Sequence, residues 1–393
     1  MNQVNCQVCS SDQGRTIYTA LNVPTHSVRL IHSAKNSLAV EVGNIRLHAC
    51  QSCGFVWNRD FKAELMRYDQ NYEETQGFSN TFNDYQREMT CELVERYELK
   101  GKSVLEIGCG KGEFLSLLIE LGIGQGLGFD PSFKAERLEH DSRLSFVTDF
   151  FPPKDDSATP SADVYWCKMT LEHIDQPAQF IQQLRNSISN ENALVIFQIP
   201  ALERILDEVA YWDIYYEHCN YFSRDALHTL FAIHGFEVLE ITTQFEQQYH
   251  TIVAKPSSKS TDYQASVSIG LSAKVNRFEK QIKTTLSSWQ AKLTQAASAN
   301  SEDNNGLLIW GAASKAVGLL NALPSLREGV RLVDINPYKQ HTFLPSTDLQ
   351  IEAPQDIAHQ HFELILVANP IYQDEIRAEL KSLGVTGKLV CLE

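Results

Sequence analysis

The chain has 393 residues, room for two or three domains that each bury a core, and a formal net charge of −15. That acidity, without a basic cluster, excludes a nucleic-acid partner, which needs a positive footprint. No apolar run reaches the roughly eighteen residues of a membrane span, and the segment Met1–Cys6 lacks the basic and apolar regions of a secretory signal; a cytoplasmic protein is expected.

Nine cysteines in such a chain do not make a disulfide framework. Four of them pair by spacing, Cys6 with Cys9 and Cys50 with Cys53, and Gly54 follows the second pair. Two such knuckles suit tetrahedral thiolate binding of Zn²⁺, and four thiolates leave no open position for catalysis. The redox reading of Cys-x-x-Cys requires a neighbouring βαβ pattern, which is absent. Residues 1–60 are therefore expected to form a zinc-stapled module too small to stand on apolar burial alone. Its expected short strands are Ala39–Val42 and Ile45–His48. The remaining cysteines (Cys91, Cys109, Cys167, Cys219 and Cys391) read as small core residues.

Residues 62–98 read as helical, in the pieces Phe61–Met66, Phe82–Met89 and Leu93–Tyr97. Between them Tyr68–Ser79, polar, aromatic and punctuated by Gly77, reads as an approach loop.

From 102 to 255 strands and helices alternate. The expected strands are Ser103–Ile107, Gly126–Asp130, Leu144–Val147, Ala162–Cys167, Ala193–Ile199, Phe236–Thr242 and Tyr249–Ala254. The first ends in Glu106-x-Gly108-x-Gly110-x-Gly112 before a fresh amphipathic run. Glycines at 108 and 110 let the backbone approach a ligand more closely than any Cβ permits. About twenty positions on, Asp130 ends the next strand, where a carboxylate can grip ribose hydroxyls. A nicotinamide or flavin dinucleotide needs Gly-x-Gly-x-x-Gly, and the last position here is Glu113, which would repel a phosphate. The glycine spacing resembles the signature of class I S-adenosylmethionine (SAM) methyltransferases. That resemblance implies a seven-stranded α/β sheet ending in an antiparallel hairpin, with SAM held by Glu106, Gly108, Gly110, Gly112, Asp130, Asp149 and Lys168.

Two segments carry candidate chemistry. Trp166–Ile174, with His173, follows the fourth strand, whose end faces the ligand crevice of an open α/β sheet. Trp212–Phe222, after the fifth strand, is too polar for a core helix. Its His218 has the near-neutral pKa of a general base, and Glu217 and Tyr215 could orient, polarise or donate. A capping layer with a satisfied histidine is the alternative for such an aromatic stretch.

Residues 256–305 read as a helical linker bounded by breaker-rich stretches, and 306–393 restart a βαβ pattern in a Rossmann-like domain. There Gly311–Lys315 lacks the full P-loop pattern and reads as a strand-to-helix turn, with a degenerate nucleotide or substrate contact as the alternative.

Taken together, Cys6/Cys9/Cys50/Cys53, Leu105–Phe114, Tyr215-x-Glu217-His218, Val333–Lys339 and Asn369–Ile376 resemble the sugar C-methyltransferases, which act on nucleotide-linked 4-keto-deoxysugars. The resemblance implies His218 as general base, Tyr215 and Glu217 as its companions, His173 as a second histidine and Tyr72 as the approach-loop tyrosine. It implies enolisation beside a keto group, then methyl transfer to carbon. Gln247–Thr251 stands where those enzymes carry Gly-Gly-Ser, and Tyr72–Ser79 lacks their Tyr-x-Ser-Ser, both marks of a sister group. O- or N-methylation of another small molecule, and a non-catalytic zinc-bearing scaffold, are the competing readings. The oligomeric state is not legible.

Overall fold

A computed structural model describes residues 5–153, 161–258, 264–299 and 305–392. Both linkers expected from composition lie partly outside these residues. The described residues form three sheets, and strand ends of the second and third line one cavity.

The first sheet joins β1 (Gly14–Pro24), β2 (Val42–Cys50) and β3 (Val56–Asn58), and its fourth strand comes from far along the chain. Two expectations fail here. Of Ala39–Val42 only Val42 is strand, because a short helix, Ala34–Leu38, capped by the Ser33 side chain, occupies the approach. The long β1 carries register shifts between Thr16 and Tyr18 and between Ala20 and Val23. Such bulges break the period-two alternation that marks a strand in sequence. The helix expected at Phe61–Met66 is a single 3-10 turn, Ala63–Leu65, with no side-chain cap and no buried residue to hold a longer one. The helix Asn80–Arg96 runs unbroken from its Ser79 cap.

The central sheet contains β4 (Ser103–Ile107), β5 (Gln125–Phe129), β6 (Leu144–Val147), β7 (Val164–Lys168) and β8 (Leu194–Pro200). After β9 (Asn220–Tyr221), which completes the first sheet against β3, it gains β10 (Phe236–Gln244) and β11 (Tyr249–Pro256). The order β10-β11-β8-β7-β4-β5-β6 is parallel except for β11, antiparallel to both neighbours. Strand β7 is buried on both faces, which explains its unbroken apolar run. The strand order reverses at β4, so the ligand crevice lies at the carboxyl ends of β4 and β7.

The third sheet is wholly parallel: β12 (Leu307–Trp310), β13 (Val330–Val333), β14 (Ile351–Glu352), β15 (His361–Val367) and β16 (Thr386–Cys391), ordered β14-β13-β12-β15-β16. Its order reverses at β12. The helix Ile269–Ala297 buries Leu271, Val275, Phe278, Ile282, Trp289 and Leu293, a stripe at three- and four-residue spacing. This stripe joins β1, the segment Leu202–Ile214 and the third sheet in one apolar core, so the helix binds the parts together rather than merely linking them.

Candidate active site

Strand β4 delivers the glycine turn to the crevice. Gly108 and Gly110 have φ of +71° and +55°, the left-handed region open to glycine. A Cβ on Gly108 would stand 2.1 Å from Thr170 Oγ1, and one on Gly110 2.4 Å from Glu74 Oε1. Asp130 Oδ2 accepts from Gly110 N at 2.9 Å, while Oδ1 accepts from Ser132 N and Oγ at 2.7 Å. Lys111 Nζ reaches Tyr72 O at 2.8 Å and Ser132 Oγ at 3.0 Å, which fixes the approach loop against the turn.

Beneath the turn Glu106 is buried, its Oε2 has no partner, and burial pushes its carboxyl up to about 8 against the pull of Lys168. Lys168 ends β7, donates to Gln86 Oε1 at 2.5 Å, and is pulled down by burial. Asp149 stands exposed on the cavity rim after β6. A close-approach turn, an acid at the next strand end and an orphaned carboxylate oxygen fit a zwitterionic nucleoside ligand such as SAM.

Across the cavity lies the stretch between the 3-10 turn Tyr211–Asp213 and β9. Tyr215 Oη is 3.0 Å from His218 Nε2, and the His173 ring meets the His218 ring edge-on at 4.8 Å. Tyr68 Oη lies 3.2 Å from His173 Nδ1, and the Tyr72 ring packs on Tyr68 at 5.2 Å. Glu217 Oε2 accepts from Ser27 Oγ, and its Oε1 has no partner. All five expected catalytic side chains line one cavity. Sequence reasoning missed Tyr68, Ser27 and Glu172. Glu172 Oε1 lies 4.0 Å from His218 Nε2, and its Oε2 is buried and unpartnered. An acidic residue next to the candidate His173 was the available signal for it; Ser27 offered none.

Burial governs the electrostatics. It holds His218 well below the usual imidazole range and His173 at about 4. The same desolvation pushes Glu172 to about 8 and Glu217 to about 7, and the Tyr215 and Tyr72 phenols well above their usual value. The site therefore offers a neutral imidazole beside protonated phenols, a base and its hydrogen-bond donors.

The hairpin segment Gln247–Thr251 has a structural role as well. His250 is satisfied by Glu203 Oε2 at 2.7 Å and Thr243 Oγ1 at 2.9 Å. Gln248 and Asn369 exchange amide hydrogen bonds of 3.1 and 2.9 Å, closing the cavity against the third sheet. Glu375 accepts from Ser79 Oγ at 2.7 Å and Asn80 N at 3.1 Å, adding a cap from the C-terminal part to the helix Asn80–Arg96. The cavity volume is about 1510 Å³. That exceeds the roughly 300–1,000 Å³ of a single small-molecule pocket, so two ligands fit together.

Away from the cavity, Cys6, Cys9, Cys50 and Cys53 converge, with Sγ atoms 3.6 Å apart for Cys6 and Cys53 and 3.7 Å for Cys9 and Cys50. Thiolates at the ~2.3 Å bond length of tetrahedral zinc stand about 3.8 Å apart, so this donor set fits that metal. Contact among the thiols pushes Cys50 down and Cys53 up.

A methyltransferase domain model matches residues 82–241, and a C-methyltransferase C-terminal domain model matches residues 250–392. The C-methyltransferase NovU of Streptomyces niveus is 22% identical over 291 residues, 70% of this chain and 68% of that protein. Among solved structures, the Burkholderia thailandensis 1,6-didemethyltoxoflavin-N1-methyltransferase, with bound S-adenosylhomocysteine, is 14% identical. It covers 46% of this chain and 82% of its own, at a TM-score of 0.35. An S-adenosylmethionine-dependent methyltransferase of Mesorhizobium loti is 15% identical, covers 43% and 99%, and has a TM-score of 0.33.

Proposed function

From the premise that this chain is a SAM-dependent methyltransferase carrying a C-methyltransferase C-terminal domain, we propose that it methylates the carbon beside a keto group. The acceptor is a nucleotide-linked keto-deoxysugar. The observation that carries the reading is the buried pair of Tyr215 and His218, 3.0 Å apart on the wall facing the glycine turn.

SAM, when bound, supplies an electrophilic methyl group. The turn Gly108–Gly112, Asp130, Glu106, Asp149 and Lys168 would hold it. His218, neutral because it is buried, takes the proton from the carbon next to the carbonyl. The phenols of Tyr215 and Tyr72, protonated at any working pH, donate to the oxygen on which the enolate charge develops. Tyr68 orients His173 against His218, and Ser27 fixes Glu217. The residues that would hold SAM line the same cavity as His218 and Tyr215, so they would position its methyl for transfer to the enolate carbon, with S-adenosylhomocysteine as the leaving product. Zn²⁺ on Cys6, Cys9, Cys50 and Cys53 is structural in this reading.

NovU is named a C-methyltransferase, which supports carbon over oxygen or nitrogen as the nucleophile. The test is incubation with SAM and a panel of nucleotide 4-keto-sugars, with the product read by carbon–proton correlation NMR. A new carbon-bound methyl is expected. A methyl on oxygen or nitrogen, with no reaction of any ketone, would overturn the reading.

A further inference from the structure

Glu172 has no task in the proposed reaction, and it stands beside two groups that do. Glu172, His173 and His218 bring one donor atom each to within 4.8 Å of one another. The first two are neighbours in the 3-10 turn Leu171–His173 after β7, and His218 stands just before β9. Bonds between these two segments hold the set in place. Asn220 Nδ2 donates to Ile174 O at 2.5 Å, and Cys219 Sγ to Glu172 O at 3.4 Å.

The spacing is that of a set one short movement away from closing on an ion. Tetrahedral zinc holds nitrogen and oxygen donors at about 2.0–2.1 Å, hence about 3.4 Å apart, so shifts of less than about 1 Å per side chain would suffice. Glu172 Oε1 and His218 Nε2 are 4.0 Å apart, too far for a hydrogen bond but a gap that an ion bonded to both can span. Tyr68 Oη, 3.2 Å from His173 Nδ1, holds that ring by one nitrogen, the arrangement that orients ligating imidazoles. A second, independent observation is the carboxylate itself. Glu172 is 1% exposed and lines the cavity, and its Oε2 has no hydrogen-bond partner among the described residues. A buried carboxylate left in that state is costly unless a ligand satisfies it.

We propose that Glu172, His173 and His218 form a second metal site, separate from the four cysteines, which takes a divalent cation of the zinc, cobalt and nickel group. Two imidazoles and one carboxylate suit such borderline cations, and three protein donors leave room for water. The cation bonds through the lone pair with which His218 takes the proton, and it breaks the hydrogen bond from Tyr215 to that nitrogen. Its binding therefore switches the enzyme off reversibly. This consequence rests on His218 as the base of the proposed function; the site itself rests on the donor set alone.

Cobalt(II) is the probe, added to the full chain purified with zinc on its cysteine cluster and followed by visible absorption and metal analysis. One further cobalt per chain is expected, with weak ligand-field bands and none of the intense thiolate-to-metal absorption of a cysteine site. Glu172→Gln and His173→Gln should each weaken cobalt binding at least about tenfold, the loss of one of three protein donors. Affinity for S-adenosylhomocysteine and the zinc count, both at wild-type values in these variants, report that the fold is intact. Zinc beyond one equivalent should inhibit methyl transfer, and removing the free cation with a chelator should restore it. No further equivalent, thiolate absorption alone, unchanged cobalt affinity in both variants, or stimulation by the cation would each overturn the proposal. If cobalt binds as expected but no ketone is methylated by the cobalt-free protein, the site stands and the C-methylation reading falls.

Discussion

Tyr215 Oη lies 3.0 Å from His218 Nε2, on a segment whose continuation, Asn220–Tyr221, is the fourth strand of the cysteine-bearing sheet. Val56 pairs with Tyr221 and Trp57 with Asn220, so the register of the N-terminal sheet sets where the histidine stands. The cysteine cluster closes the hairpin from which β3 departs. Cysteine cluster, sheet and the Tyr215–His218 pair therefore form one mechanical unit.

That coupling gives the first prediction. Cys53→Ser should lower the zinc content of purified protein from about one per chain to near zero. It should also cost more than about 4 kcal/mol of stability, the range associated with a lost metal. Methyl transfer should fall with it although no cysteine touches the cavity. Metal analysis and urea unfolding check this; full activity in zinc-free protein would separate the module from the site.

A second prediction concerns acid tolerance. Because burial holds His218 well below the usual 6.5, its imidazole remains an unprotonated base as pH falls through that value. The kcat/KM profile should pass 6.5 without an inflection from His218 and decline only at lower pH. Glu217, pushed to about 7, is the competing source of a limb near neutrality. A limb near 7 that vanishes in Glu217→Gln belongs to that carboxyl; one that persists there contradicts the buried neutral base.

Glu172 supplies a stability signature. Its carboxyl titrates at about 8 when folded, against an ordinary value of 4.5. Between those pH values the native state binds more protons than the unfolded state, so this group lowers stability as pH rises. Glu172→Gln removes the effect. The variant should gain about 1–3 kcal/mol on the wild type between pH 5 and pH 8 in urea unfolding. An equal difference at both pH values would mean that Glu172 is not held protonated.

The glycine turn makes a prediction about SAM. Asp130→Ala removes the acceptor of Gly110 N and Ser132 N and the carboxylate expected to take the ribose hydroxyls. S-adenosylhomocysteine affinity should fall about 10- to 100-fold, with kcat at saturating SAM much less affected. Gly108→Ala should do at least as much damage, because its Cβ would meet Thr170 Oγ1 at 2.1 Å. Unchanged affinity in both variants would remove the turn from the cofactor site.

Much of this was legible because the central sheet obeys simple rules. Apolar runs of four to nine residues, punctuated by Gly108, Gly110 and Asp130, mark strands and turns directly, and the expected seven strands are present with an antiparallel last pair. Tyr215, Glu217 and His218 stand out as polar side chains in an aromatic stretch for which a capping layer was the alternative. What stayed hidden depends on pairing across long sequence distances. The bulges of β1, the union of β9 with β3 and the bond from Ser27 to Glu217 across 190 residues leave no local pattern. Glu375 capping a helix that begins 295 positions earlier is the same kind of fact.

The most direct test of the central claim is hydrogen exchange without methyl transfer. Protein saturated with S-adenosylhomocysteine is mixed with a nucleotide 4-keto-sugar in deuterated water, and proton NMR follows the position beside the carbonyl. Wild-type protein should wash out that proton catalytically. His218→Gln, binding S-adenosylhomocysteine normally, should slow exchange by about 10²- to 10⁴-fold, the usual contribution of a general base. Exchange at the wild-type rate in His218→Gln would contradict the assignment of the base and with it the proposed chemistry.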